Sequence, residues 1–419
     1  MGNGSSSGSG PDDQGFETIL SIDGGGVRGI VPSVVLTALE AKLQKLDVDN
    51  KDARIADYFD FVAGTSTGGL MTAMLTTPNA EERPAFAAKD IVQFYLDKSQ
   101  LIFPQTTEQD EDDELFDDEA AIKSVLDEAR NQIQQYNNAM RNHIIVDPII
   151  SALRFLLKWR LLPSFIRKKL RGLLSPRYDG VKLHEIIKEE VGQKLLSDAL
   201  TNVIIPTFDI KHFKPVIFSS LKAKREKSTD AGIADVCIGT SAAPYYFPPY
   251  NFKTTVDFNL ADGGLAANNP SLLAVCEVMK EQKMDGRKLL ILSLGTGAAD
   301  QSDRYVVGDP SKWGLLRWLW YSENNGSPLI DILTTAPDEM ISTYISTIFQ
   351  YCGWEDNYYR LQAEMKLSEA KMDDASIENL NNLVKIGEDL AAKHDAELEA
   401  LAQKLIENRK ARNMASMAV

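Results

Sequence analysis

Gly64-Thr65-Ser66-Thr67-Gly68 holds a serine with a glycine two residues away on either side. This is the G-x-S-x-G pattern of a nucleophile elbow, in which a sharp strand-to-helix turn exposes the hydroxyl and the glycines relieve crowding. A serine hydroxyl is a poor nucleophile until a base takes its proton, and the oxyanion that it generates must be met by preorganised N–H donors. The four histidines, His143, His184, His212 and His394, all lie away from glycine-rich strand ends. A Ser-His-Asp arrangement is therefore disfavoured. Asp262 is the better base: it follows an apolar stretch and precedes Gly263 and Gly264, which allow close backbone approach. Locally, the same context also suits a turn aspartate capping the next segment. Donors are expected in Asp23-Gly24-Gly25-Gly26-Val27-Arg28-Gly29, where the N–H groups of Gly24, Gly25, Gly26, Val27 and Arg28 sit between a strand and a helix N-terminus. Arg28 is also placed to fix that loop or attract an anionic head group. Ser241 is a rival nucleophile only superficially, because Gly239-Thr240-Ser241-Ala242-Ala243 lacks the second glycine.

These residues need strands and helices to carry them. Residues 18–22, TILSI, read as a buried strand running into the glycine cluster, and Pro32 opens a helical pattern through Leu46. A second unit follows: strand 58–63, the serine turn, and a helix over 69–75. Two strand–loop–helix units predict a largely parallel α/β sheet. Further strands are expected at 202–210, 215–220 and 288–297, and an amphipathic helix over 376–412. The glycines of 24–29 also match G-x-G-x-x-G. A dinucleotide fold fits poorly, however, because residues 47–57 are polar where its second strand and acidic terminus belong.

The chain has 419 residues and a net charge of −15, which argues against nucleic acid as the main partner. The three cysteines, Cys237, Cys276 and Cys352, form no CxxC pair, so neither zinc nor a disulfide framework is indicated. No apolar run reaches the roughly 18 residues of a membrane span. The N-terminus has no apolar stretch of signal-peptide type. It does satisfy M-G-x-x-x-[ST], which makes Gly2 a candidate for N-myristoylation beside the plainer reading of a Gly/Ser linker. Between 107 and 175 acid and base segregate: residues 108–119 contain nine carboxylates, and residues 141–177 nine Lys or Arg against one acid. Trp159, Arg160, Phe165, Arg167, Lys168 and Lys169 belong to a basic amphipathic stretch of the kind that lies on anionic membranes, or else packs its apolar side on a core. The acidic run lacks the spaced ligands and glycine of an EF-hand loop.

Three blocks closely resemble the signatures of plant patatins and patatin-like phospholipases: residues 19–30 (ILSIDGGGVRGI), Gly64-Thr65-Ser66-Thr67-Gly68-Gly69 and Asp262-Gly263-Gly264. Similarity continues through residues 56–60, 242–249 and 292–297, and covers roughly 17–410 apart from the insertion. The resemblance implies a three-layer α/β/α fold with a mainly parallel central sheet, related to the cytosolic phospholipase A2 catalytic domain. It implies hydrolysis of phospholipid and galactolipid esters by a Ser66–Asp262 dyad through an acyl-enzyme, without a cofactor or a metal in the chemical step. The expected organisation is a tail (1–16), a catalytic domain (17–410) interrupted by the 107–175 insertion, and a C-terminal tail (411–419). Storage-type patatins carry a signal peptide and none is visible here, so a cytoplasmic, peripherally membrane-associated enzyme is expected. The rival readings are a storage protein without turnover and a lipid-binding scaffold.

Overall fold

Strand β1 (Phe16–Ile22) is almost wholly buried on both faces, as an apolar run in the middle of a parallel sheet must be. The computed structural model describes residues 15–105, 131, 176–281, 287–300, 302, 304–314, 317–318, 321 and 327–417. Gly2 and the stretch with Trp159, Arg160, Phe165, Arg167, Lys168 and Lys169 lie outside the described residues. The chain divides into two compact units: residues 1–103, 180–244 and 249–419 form one, and residues 104–179 with 245–248 form the other.

In the first unit β1 leads to α1 (Ile30–Leu46), then β2 (Phe61–Gly64), α2 (Thr67–Thr76) and α3 (Ala88–Ile102). After α4 (Val181–Val191) come β3 (Asn202–Asp209), β4 (Lys214–Ser219), α5 (Ile233–Thr240), β5 (Tyr250–Lys253) and β6 (Asp257–Ala261). The chain then runs through α6 (Ser271–Glu281), β7 (Lys288–Leu294), α7 (Pro328–Cys352), β8 (Tyr358–Leu361), α8 (Ile377–Lys393) and α9 (Asp395–Met417). The sheet order is β5-β6-β3-β2-β1-β7-β8, with β4 added to β3. Strands β3, β2, β1, β7 and β8 are parallel, while β4, β5 and β6 are antiparallel additions. The structure is thus α/β with a mainly parallel central sheet.

One face of the sheet packs Ile19, Phe61, Ala63, Ile204 and Ile291 against Ala274, Val275 and Val278 of α6 and Ile345 and Phe349 of α7. Alternation along β1 sends Leu20 and Ile22 to the opposite face. Buried Val31, Val35, Leu39 and Leu43 recur at four-residue spacing on α1, the stripe that a helix on a core requires.

The register of β3 governs the site. Strand β4 occupies one edge of β3 over residues 204–209. The other edge pairs with β2 at residues 202–204 and with antiparallel β6 at residues 208–209. So β2 and β6 run toward each other along one edge of β3 and stop with residues 205–207 between their ends. The loops that leave those ends carry Ser66 and Asp262.

Several expected boundaries shift for local reasons. The strand expected at 58–63 begins only at Phe61, because the Tyr58 hydroxyl donates to Asp47 Oδ2 at 2.9 Å and Asp60 accepts from the Thr18 N–H, also at 2.9 Å. The strand over 288–297 ends at Leu294, where Gly295-Thr296-Gly297 turns away. The single helix expected over 376–412 is two helices, α8 and α9, that break at His394, a position with no Gly or Pro to mark it. Among the described residues no helix is long and apolar enough to cross a membrane.

Candidate active site

Ser66 follows β2 and caps α2 with φ +54° and ψ −119°, a left-handed backbone that costs a non-glycine residue on the order of 1–3 kcal/mol. The strain is held from both sides. The Ser66 N–H donates to Thr240 Oγ1 at 3.0 Å, and that hydroxyl donates onward to the Pro206 carbonyl at 2.7 Å. Thr65 Oγ1 donates to the Ala267 carbonyl at 2.6 Å, while Thr67 Oγ1 bonds the buried Tyr95 hydroxyl. Gly68 sits so close to β1 that a Cβ there would lie 2.2 Å from the Ile22 carbonyl oxygen, and one at Gly64 would lie 2.1 Å from that of Gly68. Only glycine permits this turn. Thr67 then opens α2, which directs the positive end of the helix toward Ser66.

Asp262 ends the opposing approach. It is 6% exposed, and its N–H donates to the Ala242 carbonyl at 3.0 Å. Burial pushes its carboxyl up to about 6, while the Gly264 N–H, which donates to Oδ1 at 2.6 Å, and the Ser66 hydroxyl both pull it back down. The serine and the carboxylate are therefore neighbours across the gap between β2 and β6. Gly263 rests on β3: its N–H donates to the Thr240 carbonyl at 3.2 Å, and a Cβ there would lie 2.2 Å from the Pro206 oxygen.

The glycine loop 24–28 forms the third wall. A Cβ at Gly24 would stand 3.4 Å from Ser66 Cβ, which places the loop against the serine. Three of its five N–H groups are committed: Gly24 to the Asn268 carbonyl (3.1 Å), Val27 to the Met372 carbonyl (2.9 Å) and Arg28 to the Gly25 carbonyl (3.2 Å). Those of Gly25 and Gly26 have no protein acceptor among the described residues. Gly26 has φ +60° and would clash with the Met372 carbonyl through any Cβ. Arg28 turns inward to the protein: Nε donates to the Gly25 carbonyl (3.2 Å) and Nη1 to that of Gly297 (3.0 Å).

The described histidines have other partners. His212 Nδ1 lies 2.9 Å from Asp209, His394 Nδ1 lies 3.1 Å from Glu397, and His184 stacks edge-on with Tyr250. Ser241 is buried as the C-cap of α5. Among the described residues no group of three His, Cys, Asp or Glu side chains converges as a metal site.

Sequence reasoning missed Thr240, which ties the elbow to the base loop, and Asp338 of α7. Asp338 Oδ2 accepts from Asn268 Nδ2 at 2.7 Å and its Oδ1 from the Asn269 N–H at 3.1 Å. Burial and the nearby Asp23 charge push Asp338 up to about 6. Thr240 precedes Ser241 in Gly239-Thr240-Ser241-Ala242-Ala243, and no local pattern in that block marks it.

The family model for patatin-like phospholipases matches residues 20–275, a span that includes the glycine loop, the elbow and Asp262. "Patatin-like protein 2" of Arabidopsis thaliana is 40% identical over 90% of this chain and 83% of its own length. "Patatin-like protein 2" of Oryza sativa subsp. indica is 39% identical over 93% and 87%. "Probable inactive patatin-3-Kuras 1" of Solanum tuberosum is 36% identical over 91% and 87%. A matching family model over more than half of the sequence and relatives aligned nearly end to end make this chain a member of the patatin-like phospholipase family.

Proposed function

We propose that the protein is a lipid acyl hydrolase that releases fatty acids from phospholipids and galactolipids, with Ser66 as nucleophile and Asp262 as its base. The observation that carries this reading is the meeting of a strained, half-buried serine with a buried carboxylate beside two backbone N–H groups that have no acceptor among the described residues.

Ser66 Oγ attacks the ester carbonyl carbon while its proton passes to Asp262. The carbonyl π electrons move to oxygen, and the resulting oxyanion accepts from the Gly25 and Gly26 N–H groups. Collapse breaks the bond to the leaving alcohol, which takes the proton from Asp262 and leaves an acyl-enzyme. Water then attacks that ester as Asp262 accepts its proton. The second collapse expels Ser66, which recovers the proton, and frees the fatty acid. A base held near 6 by burial is well matched to this task at neutral pH, since it is ionised yet basic enough to take a hydroxyl proton. The substrate resides in a bilayer, so peripheral membrane contact completes the proposal. Trp159 and Phe165, among Arg160, Arg167, Lys168 and Lys169, supply the amphipathic, cationic composition for it.

Fatty-acid release from phospholipid and galactolipid vesicles tests the reading, with the parent, Ser66→Ala and Asp262→Asn compared in the presence of a chelator. The expected outcome is release by the parent, faster on vesicles containing anionic lipid, and a loss of at least about a thousandfold in both variants. A parent that binds vesicles without hydrolysis, or a Ser66→Ala variant that keeps the rate, overturns it in favour of a binding or storage role.

A further inference from the structure

The two N–H groups without an acceptor among the described residues owe their direction to the carbonyls on their own peptide units. In a trans peptide the C=O and N–H point in opposite directions, so whatever holds the carbonyl of one residue aims the N–H of the next. The Gly25 carbonyl, which shares a peptide with the Gly26 N–H, is held by the Arg28 N–H and Arg28 Nε, both at 3.2 Å. The Gly24 carbonyl, which shares a peptide with the Gly25 N–H, is held by Thr296 Oγ1 at 2.8 Å.

Thr296 reaches that carbonyl because of strand register. Strands β1 and β7 are paired through Ile22 and Leu294, and the Asp23 N–H donates to the Leu294 carbonyl at 3.0 Å, so the chains leave the sheet side by side. Thr296 is 3% exposed, and the turn that carries it is fastened by the Gly297 N–H to Gln362 Oε1 (2.7 Å) and by Arg28 Nη1 to the Gly297 carbonyl (3.0 Å). The fit is close: a Cβ at Gly25 would meet Thr296 Oγ1 at 2.3 Å. Gly25 is therefore glycine because Thr296 stands behind it.

We infer that Thr296 is a positioning residue of the oxyanion hole, whose hydroxyl aims the Gly25 N–H at the tetrahedral intermediate. This rests on the hydrolase reading above. Thr296→Val keeps the shape of the side chain but removes the donor, leaving the Gly24 carbonyl buried without it and the peptide free to rotate. Thr296→Ser keeps the donor. With a soluble short-chain ester, kcat of Thr296→Val is expected to fall about 10–100-fold with KM within about twofold, somewhat less than deletion of an oxyanion donor costs. Thr296→Ser should return to within about threefold of the parent. Affinity for a trifluoromethyl ketone analogue, which forms a tetrahedral adduct with Ser66, should fall in step with kcat/KM, while a non-hydrolysable ether analogue binds Thr296→Val as it binds the parent. A purely structural role would weaken both analogues together, and that result, or an undiminished kcat in Thr296→Val, overturns the inference. Ser66→Ala in the same assay separates the two levels: if it is inactive while Thr296→Val keeps full rate, only the role of Thr296 falls, whereas activity in Ser66→Ala brings down the hydrolase reading and this inference with it.

Discussion

In the proposed mechanism two residues carry the chemistry, and each is held at a cost: Ser66 in a strained backbone and Asp262 in a burial that disfavours its charge. The Asp262 carboxyl is raised from 3.8 to about 6 by burial, so its ionised form is tolerated rather than stabilised. A folded-state value above the unfolded one contributes stability that is complete below about 4 and is lost as pH rises through about 6. Asp262→Asn should therefore be inactive yet more stable than the parent at pH 8, by up to about 3 kcal/mol at about 1.4 kcal/mol per pKa unit. The gain should shrink toward pH 4, as urea midpoints at the two pH values will show. The same group should give kcat/KM an acid limb near pH 6; a profile flat from pH 5 to 8 would remove Asp262 as base. Ser66 carries its cost in the backbone, so Ser66→Gly should exceed Ser66→Ala in stability by about 1 kcal/mol, read from denaturant midpoints. Both members of the proposed pair could be picked out in the sequence, because glycines on both sides of a serine and after an aspartate are local signals. Thr240 was not. Its hydroxyl matters only because the Ser66 N–H, 174 residues away in the chain, comes to it.

At the scale of elements, what could be read was what periodicity and glycine mark: β1 with its loop, the elbow, α1 and the buried β7. What could not be read was pairing. Nothing in residues 257–261 announces that β6 runs antiparallel on the far part of the same edge that β2 occupies, yet this alone brings Asp262 to Ser66. Helix α7 lacks a clear sequence signal for a related reason: Pro337 interrupts its pattern, and the next residue, Asp338, serves the Asn268–Asn269 turn instead of the core. The placement of β6 makes a sharp test. Gly263→Ala would drive a methyl to within 2.2 Å of the Pro206 oxygen and so push the base loop off β3. The expected result is a loss of at least about a hundredfold in kcat with native circular dichroism. Retained activity would mean that the loop has slack which the packing does not suggest.

At the scale of the molecule, late parts of the chain secure early ones. Asn408 of α9 accepts from the Phe16 N–H at 2.8 Å and donates to the Phe16 carbonyl at 3.1 Å, acting as a side-chain substitute for a neighbouring strand, and Arg412 pairs with Asp60. Asn408→Ala should cost about 2 kcal/mol in urea unfolding, about one for each bond, with the rate per folded molecule unchanged. The convergence of β2 and β6 on β3 has a different reach. Ser66 and Asp262 are nearly two hundred residues apart in sequence, but their separation in space is metered by three residues of one strand, 205–207. The 104–179 segment belongs to the other unit, so it can lengthen, shorten or be exchanged without altering the strand that spaces Ser66 from Asp262. Descendants of such an architecture are free to diverge in that segment while inheriting one unaltered placement of the serine and the aspartate.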